Sequence, residues 1–140
     1  MPVFIIHEHH AKKLHFDLRL EIDKVLKSWA VPKGPSMNPG DKRLAIMVED
    51  HPLEYASFKG VIPDGMYGAG TVVIWDKGTF TIKEGSFKDK KMAIELKGKT
   101  LKGLFSLFSF KSQPKNWLLV KKNDKFAVHT FKITTVLKKK

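Results

Sequence analysis

The clearest secondary-structure signal in this sequence is Leu14-His15-Phe16-Asp17-Leu18-Arg19-Leu20-Glu21-Ile22. Apolar and polar residues alternate strictly through its nine positions, which is the period of a β-strand with one buried face. His15, Asp17 and Arg19 fall on the polar face, where side chains two residues apart start about 6.6–6.8 Å from each other. The stretch therefore predicts a strand whose outer face carries a row of ionisable groups.

Short apolar runs separated by turn-forming residues continue along the rest of the chain. They predict further strands at Val3–Ile6, Ser28–Val31, Arg43–Glu49, Thr71–Trp75, Thr79–Ile82, Lys91–Leu96, Gly103–Phe110, Trp117–Lys121 and Phe126–Phe131. Breaks between strands are predicted at Pro32–Pro39, Ile62–Gly70, Lys77-Gly78, Gly98 and Gln113–Asn116. No window keeps a helical period over ten residues. The pattern predicts an all-β, single-domain, closed or nearly closed β-barrel over residues 1–136, with a basic disordered tail at 137–140.

Two local runs invite a functional interpretation that the sequence does not favour. The glycine-rich run Gly65-Met66-Tyr67-Gly68-Ala69-Gly70 precedes a predicted strand and lacks the Gly-Lys-Ser/Thr ending of a phosphate-binding loop, so it predicts a tight turn or barrel corner. The Phe-rich run Leu104–Phe110 favours core packing over base stacking.

Composition limits the chemistry and the location of the protein. The chain has 140 residues and no cysteine, so a metal ion would need nitrogen and oxygen ligands. No apolar run approaches the roughly 20 residues of a membrane span, and the start MPVFIIHEHH lacks a basic leader and a cleavage site. A cytoplasmic protein without a membrane partner is expected.

The formal net charge of +12 points to a polyanionic partner, most simply nucleic acid. Residues 1–70 carry nine basic and nine acidic side chains, whereas residues 71–140 carry seventeen basic and five acidic ones. Residues 1–70 are therefore expected to carry the catalytic chemistry, and residues 71–140 are expected to bind the phosphate backbone of a nucleic acid. Solubility through lysine is the alternative explanation of the charge.

Histidines cluster in and just before the predicted strand Leu14–Ile22. Four of the six histidines, at positions 7, 9, 10 and 15, fall within nine residues. Two histidines and one carboxylate form a facial ligand set with open coordination positions, which suits Mn²⁺, Fe²⁺ or Zn²⁺ and metal-ion catalysis. An ordinary solvated strand face that happens to hold His and Asp is the alternative.

Several other side chains suit phosphate chemistry. Arg19 would offer a rigid donor fork beside the ligands, and Arg43 is the second of only two arginines among 26 basic residues. Lys33 lies in a stiff Pro/Gly segment. His51 can donate a proton near neutral pH and Tyr55 can hydrogen-bond a phosphate oxygen, although each alone is more often structural.

Together these motifs resemble a known family, the 3′-phosphoesterase domain of bacterial multifunctional DNA ligase D. The similarity spans roughly residues 4–127. Within the family, the chain resembles the stand-alone members found in archaea and some bacteria. Its motifs are His9-x5-His15-Phe16-Asp17-Leu18-Arg19-Leu20-Glu21, Leu26–Ser36, Lys42–Ala45, Val48–Tyr55, Gly60–Pro63, Tyr67–Gly70, Trp75–Gly78, Leu101–Gly103 and Trp117–Lys121.

The resemblance implies an eight-stranded barrel and a single Mn²⁺-type site, for which Zn²⁺, Co²⁺ or another divalent transition metal is the alternative. It implies metal ligands at His9, His15 and Asp17. It implies phosphate contacts from Arg19, Lys33, Arg43, His51 and Tyr55, and from His7, which stands where ligase-linked members usually have glutamine.

The implied activity is removal of a 3′-terminal ribonucleoside and hydrolysis of the resulting 3′-phosphate to a 3′-hydroxyl. DNA or DNA/RNA 3′ ends and primer–template duplexes are the expected partners, with a separately encoded ligase or polymerase. Longer members carry an N-terminal arm used in the nuclease step, and only eight residues precede His9. Ribonucleoside removal is therefore expected to be the weaker activity.

The expected mechanism is electrostatic, with Arg19, His51 and Tyr55 as catalytic residues and Lys33 and Arg43 neutralising charge that develops at phosphorus. His51 either protonates the departing oxygen or hydrogen-bonds phosphoryl oxygens, and the sequence leaves both open. Two rival functions remain. One is a non-catalytic basic barrel that tethers repair proteins to DNA ends, and the other is a metallophosphatase of small metabolites, which the charge disfavours.

Overall fold

The computed structural model describes residues 1–137, which form one closed antiparallel barrel. Its strands are β1 (Val3–His10), β2 (Leu14–Ile22), β3 (Val25–Val31), β4 (Lys42–His51), β5 (Gly60–Ile62), β6 (Gly70–Ser86), β7 (Lys91–Gly98), β8 (Lys102–Phe110) and β9 (Gln113–Lys121). The sheet order is β1-β2-β3-β4-β9-β8-β7-β6-β5, and a β1–β6 pairing closes the ring. Eight strands make the barrel and β5 extends it beside β6. One 3₁₀ helix, Leu53–Ser57, follows β4.

The β2–β3 hairpin follows directly from the alternation in the sequence. Asp23 and Lys24, with φ of 54° and 66°, form the two-residue turn, and this left-handed conformation matches the twist of the flanking strands. The apolar side chains of β2 enter the barrel core, where Trp29 packs edge-on against Trp117 at a centroid distance of 5.3 Å. His15, Asp17 and Arg19 therefore face outward.

The register of β1 on β2 brings a second polar row onto the same outer wall. His9 pairs with His15, and His7 pairs with Asp17. On the other side of β2, Ser28 pairs with Arg19. Because paired residues project to the same face of a sheet, these side chains become lateral neighbours. The predicted all-β barrel is confirmed, and its polar site lies on the outer wall of the barrel.

Two of the predicted strand boundaries are wrong in the middle of the chain. Lys77-Gly78 does not interrupt a strand, because β6 runs unbroken through the predicted Thr71–Trp75 and Thr79–Ile82. Gly78 pairs with Gly98, and a Cβ on Gly78 would collide with the Lys97 carbonyl. This glycine permits a close strand contact instead of a turn.

Two further predictions fail near the end of the chain. Gln113–Asn116 was expected to break the sheet but belongs to β9. Phe126–Phe131 is not a strand and pairs with no strand of the sheet in the described chain. Its amide groups have other acceptors: Phe126 donates to the Asp124 carboxylate, Phe131 to the Val128 carbonyl, and Val128 to the distant Met37 carbonyl.

The segment from residue 131 to 137 lies against the barrel. Trp75 Nε1 donates to the Thr134 carbonyl at 2.7 Å. The buried Glu8 carboxylate accepts from the backbone N–H groups of Val136 and Leu137 at 2.6 and 2.9 Å. Leu137, the first residue of the predicted tail, is thus hydrogen-bonded, and residues 138–140 lie outside the described residues. Within the described chain, no helix has the length and apolar character needed to cross a membrane.

Candidate metal and phosphate site

The outward row of β1 and β2 forms the floor of an open cavity of about 680 Å³. The β1–β2 turn, β3, β4, the 3₁₀ helix and the segment between β5 and β6 form its walls. Its lining residues are His9, Ala11, Lys12, Lys13, His15, Asp17, Arg19, Ala30, Val48, His51, Tyr55, Ile62, Tyr67, Gly68 and Ala69. The volume exceeds what an ion and a phosphate group need and is in the range of small-molecule sites.

Three side chains on the cavity floor lie close enough together to hold one metal ion. His9 Nδ1 lies 3.2 Å from His15 Nε2 and 3.6 Å from Asp17 Oδ2, and His15 Nε2 lies 3.3 Å from Asp17 Oδ1. Donor atoms about 2.0–2.2 Å from a shared ion are separated by roughly 3.0–3.5 Å. The spacing and the two-imidazole, one-carboxylate chemistry therefore fit a divalent transition metal ion.

Backbone carbonyls orient both imidazole ligands. His9 Nε2 lies 3.1 Å from the Ala69 carbonyl oxygen, and His15 Nδ1 lies 3.3 Å from that of Lys13. Each carbonyl favours a proton on the ring nitrogen that it faces, so the other nitrogen keeps its lone pair toward the metal position. Such outer contacts are typical of histidine ligands.

Asp17 is held as a carboxylate. Its burial alone would raise its pKa, but hydrogen bonds from His15 and His9 and the positive charge of Arg19 outweigh burial. The pKa of Asp17 therefore lies well below its usual range. The hydrogen bond to Asp17 also raises the pKa of His15.

Arg19 is buried beside the ligand set and is held from several sides. Its Nε donates to His7 Nδ1 at 3.0 Å, and its Nη1 donates to Ser28 Oγ at 2.9 Å and lies 3.2 Å from His51 Nδ1. Its Nη2 donates to Asp17 Oδ2 at 3.3 Å. The guanidinium carbon lies 4.9 Å from the centre of the Tyr55 ring. Since a guanidinium has five N–H groups, one on Nη2 keeps no partner among residues 1–137.

His7 lies behind Arg19 and is fully buried, away from the open cavity. Its Nε2 lies 3.0 Å from the Phe58 carbonyl, and its Nδ1 accepts from Arg19. Burial, and then the charge of Arg19, lower the pKa of His7 to about 4. A neutral His7 with both nitrogens engaged fixes the position of the guanidinium.

His51 and Tyr55 stand together on the cavity wall, with ring centroids 4.7 Å apart. Tyr55 also stacks on Phe58 at 4.8 Å. Burial, followed by the charge of Arg19, lowers the pKa of His51, and burial raises the pKa of Tyr55. Both side chains are therefore neutral near pH 7.

Lys33 and Arg43, both within the described chain, are not brought into this cavity. Lys33 is exposed in the segment after β3. Arg43 pairs with Leu119, which belongs to the core face of β9, and its Nη2 lies 3.5 Å from Asp41 Oδ2. Two cations that the sequence did not single out, Lys12 and Lys13, line the cavity instead.

Sequence reasoning also missed several groups that orient the site. Ser28 could have been found by pairing β2 with β3 through the Asp23-Lys24 turn, since that register sets it opposite Arg19. The carbonyl oxygens of Phe58 and Ala69 carry no residue-specific signal. Tyr67 was noted only as part of a predicted turn and of the motif Tyr67–Gly70, and no role was assigned to it.

The chain matches a known family over most of its length. The family model described as the DNA Ligase D 3′-phosphoesterase domain matches residues 7–109. The multifunctional non-homologous end joining protein LigD of Pseudomonas aeruginosa is 46% identical over 127 residues, which cover 86% of this chain and 15% of that protein.

Two mycobacterial proteins are similarly related. The multifunctional non-homologous end joining DNA repair protein LigD of Mycobacterium tuberculosis is 49% identical over 108 residues, covering 74% of this chain and 14% of that protein. The LigD of Mycolicibacterium smegmatis is 42% identical over 130 residues, covering 86% and 17%. This chain therefore spans between 14% and 17% of the length of these curated relatives.

Proposed function

We propose, since this chain belongs to the DNA ligase D 3′-phosphoesterase domain family, that it hydrolyses phosphate groups from the 3′ ends of DNA with a divalent metal ion. The observation that carries the proposal is the convergence of His9, His15 and Asp17 beside Arg19 on the floor of an open cavity. A metal site next to a fixed guanidinium suits a phosphate group, because both neutralise its oxygens.

His9 Nδ1, His15 Nε2 and the Asp17 carboxylate would hold the ion, for which we propose Mn²⁺. Zn²⁺, Co²⁺ or another divalent transition metal also fits this donor set. When bound, the ion would supply Lewis-acid stabilisation to the phosphoryl oxygens.

Arg19, His51 and Tyr55 would bind and orient the phosphate. Four N–H groups of Arg19 already have partners, so the remaining N–H on Nη2 could donate one hydrogen bond to a phosphate oxygen. The phenol of Tyr55, which is neutral, would donate to a second oxygen.

The environment of His51 favours a hydrogen-bond donor over a general acid. His51 Nδ1 lies 3.2 Å from both Arg19 Nη1 and the Glu49 carbonyl oxygen, and we propose the tautomer in which Nδ1 accepts from Arg19 and the proton of the neutral ring resides on Nε2. The lowered pKa keeps the ring neutral near pH 7. We therefore propose that Nε2–H stabilises charge on the phosphoryl oxygens during hydrolysis.

The remaining residues of the expected phosphate set take more distant roles in this proposal. His7 is a positioning residue that acts through Arg19. Lys33, which is exposed, would meet a part of the nucleic acid backbone that extends beyond the cavity, and Arg43, whose strand position faces the core, would reach that backbone only through its partly exposed guanidinium. The basic character of the chain supports a polyanionic substrate over a small metabolite.

The names of the relatives suggest a biological setting. We propose that the chain prepares 3′ ends of DNA or DNA/RNA primer–templates for non-homologous end joining, together with a ligase or polymerase. Removal of a 3′-terminal ribonucleoside is proposed as a second activity of the same site, because its product would be the 3′-phosphate that the site then hydrolyses.

The test is incubation with a radiolabelled primer–template that carries a 3′-phosphate, with Mn²⁺, Mg²⁺, Zn²⁺, Co²⁺ or a chelator. Turnover is expected with a transition metal and not with chelator, and Asp17→Asn should abolish it. Asp50→Asn is the matched control, because Asp50 pairs with Lys27 away from the cavity. Chelator-resistant turnover in Asp17→Asn would contradict the metal assignment. Binding without turnover would favour the DNA tether, and faster hydrolysis of small phosphomonoesters would favour the metabolite phosphatase.

A further inference from the structure

β5 and the segment between β5 and β6 expose large apolar side chains near the cavity. Val61 in β5 is 72% exposed, and Met66 and Tyr67 in the following segment are 62% and 70% exposed. Tyr67 lines the cavity. Its neighbour Met66 is not among the residues that line this cavity in the described part of the chain. Apolar groups clustered beside a polar site usually mark a surface that is covered by a ligand.

The backbone of this segment is fixed, so Tyr67 is held at the rim. The Ala69 N–H donates to the Met66 carbonyl at 3.1 Å, which closes a turn around Tyr67. The Ala69 carbonyl contacts His9 at 3.1 Å. Gly70 packs against the His10 carbonyl so closely that a Cβ there would collide with it. With the backbone fixed, only the two side-chain torsions of Tyr67 need to be ordered when a ligand stacks on its ring.

The β1–β2 turn supplies the complementary charge at the same cavity. Lys12 and Lys13 are exposed and line it, as Tyr67 does. An aromatic face together with lysines is the combination that binds single nucleotides of a nucleic acid strand, because the ring stacks on a base and the lysines contact phosphates. The volume of about 680 Å³ leaves room for a nucleoside next to the phosphate position.

We propose that Tyr67 is the stacking platform for the base of the 3′-terminal nucleotide, with Lys12 and Lys13 facing the next phosphate of the strand. The proposal rests on the proposed function, because the terminal phosphate must lie at the metal site for its base to reach Tyr67. Stacking tolerates every base, so the subsite recognises the presence of a base and not its identity. The subsite thus selects nucleic acid ends over smaller phosphomonoesters.

The kinetic test compares two primer–templates with a 3′-phosphate, one ending in an ordinary nucleotide and one in an abasic residue. The wild-type protein should prefer the ordinary end by about 5- to 150-fold in kcat/KM. Tyr67→Ala should collapse this ratio to near one, and Tyr67→Phe should restore it. Met66→Ala is the matched control and should leave the ratio unchanged. A ratio that survives Tyr67→Ala, or a wild-type ratio near one, would overturn the proposal.

A binding measurement keeps the proposal testable if hydrolysis is absent. A primer–template with 2-aminopurine as the 3′-terminal base and a non-hydrolysable 3′-phosphonate is titrated with protein in Mn²⁺, so that the proposed metal site is loaded and turnover does not interfere. Quenching by wild type and Met66→Ala, but not by Tyr67→Ala, supports stacking even if the phosphoesterase proposal fails. Equal quenching by Tyr67→Ala, or none by wild type, would show that the exposed segment serves another partner, such as a protein surface.

Discussion

Arg19 has four of its five N–H groups directed at His7, Ser28, His51 and Asp17. Arg19→Lys keeps the positive charge but cannot make these contacts and a phosphate contact together. We expect a loss of about 2–3 kcal/mol of transition-state stabilisation, or roughly a 30- to 150-fold fall in kcat/KM. Affinity for Mn²⁺ should be retained.

The measurement is steady-state kinetics on the 3′-phosphate primer, with a calorimetric Mn²⁺ titration of the same preparation. Arg43→Lys is the comparison, because Arg43 is the other arginine and lies outside the cavity. It should lose less activity than Arg19→Lys. An Arg19→Lys variant as active as wild type would mean that Arg19 does not grip the phosphate.

His51 gives a pH-dependent prediction at the same scale. Burial and the charge of Arg19 lower its pKa below the ordinary value of 6.5. Between these two pKa values the unfolded chain binds a proton more readily than the folded one, so the free energy of unfolding should fall as the pH drops through this window. His51→Gln should remove this part of the pH dependence.

NMR titration of the His51 ring in metal-free protein checks the prediction directly. Its pKa should lie below 6.5 and should rise in Arg19→Gln, since the second cause of the shift is then removed. A pKa at or above 6.5 in wild type would instead support the general-acid role of His51.

At the scale of elements, the segment that leads into β6 couples backbone geometry to the metal site. Gly70 has φ of +125° and no room for a Cβ beside the His10 carbonyl. Gly70→Ala should therefore displace the neighbouring Ala69 carbonyl from His9. Loss of such an outer contact typically costs about 10- to 100-fold in metal affinity.

Gly65→Ala is the matched control for this prediction. Gly65 has φ of +84°, but no atom lies within 4 Å of the position that an alanine methyl group would take, so only backbone strain of about 1–2 kcal/mol is expected. Urea unfolding and Mn²⁺ titration separate the two effects. Equal Mn²⁺ affinities in the two variants would show that the Ala69–His9 contact does not matter for binding.

The elements show what the sequence could reveal. Strict alternation identified β2 because each of its side chains faces either the core or the outer wall. The predicted break in β6 at Gly78 was wrong, because a glycine that permits close packing of strands cannot be distinguished in the sequence from a glycine that forms a turn. Phe126–Phe131 contains Phe, Val and Thr, which are common in strands, but strand formation also needs a partner strand, and this segment pairs with no strand of the sheet in the described chain.

The same limit applies to the candidate site. The residues His9, His15 and Asp17 were accessible from spacing and resemblance, because they lie within one hairpin. The position of Arg43 could not be predicted in this way, because it depends on which face of β4 meets the core. Carbonyl contacts to His9 and His7 arise from distant loops, and no side-chain pattern encodes them.

At the scale of the whole molecule, the cations nearest the site are not in the lysine-rich half of the chain. Lys12 and Lys13 line the cavity, whereas Lys90 and Lys91 line a separate groove of about 800 Å³. Lys91 begins β7, which is separated from β2 by β1 and β6 in the ring. Neutralising Lys12 and Lys13 to Gln should therefore raise KM and flatten the salt dependence of duplex binding, by up to about two units of slope.

The comparison is the double variant with Gln at Lys90 and Lys91, assayed over the same range of salt concentrations. It should change KM less, because its groove is separate from the cavity that holds the metal site. A larger effect from Lys90 and Lys91 would support the first interpretation of the charge asymmetry, in which residues 71–140 hold the backbone of the substrate.

The two-sided character of β2 limits which insertions and deletions the chain can tolerate. Removing one residue between Leu14 and Ile22 would turn every later side chain of the strand to the opposite face, so charged groups would enter the core as leucines left it. A change of length in the turn at Lys111-Ser112 leaves that alternation intact. In a library of single-residue deletions, active variants should survive in such turns and be absent from β2, whatever residue is removed there.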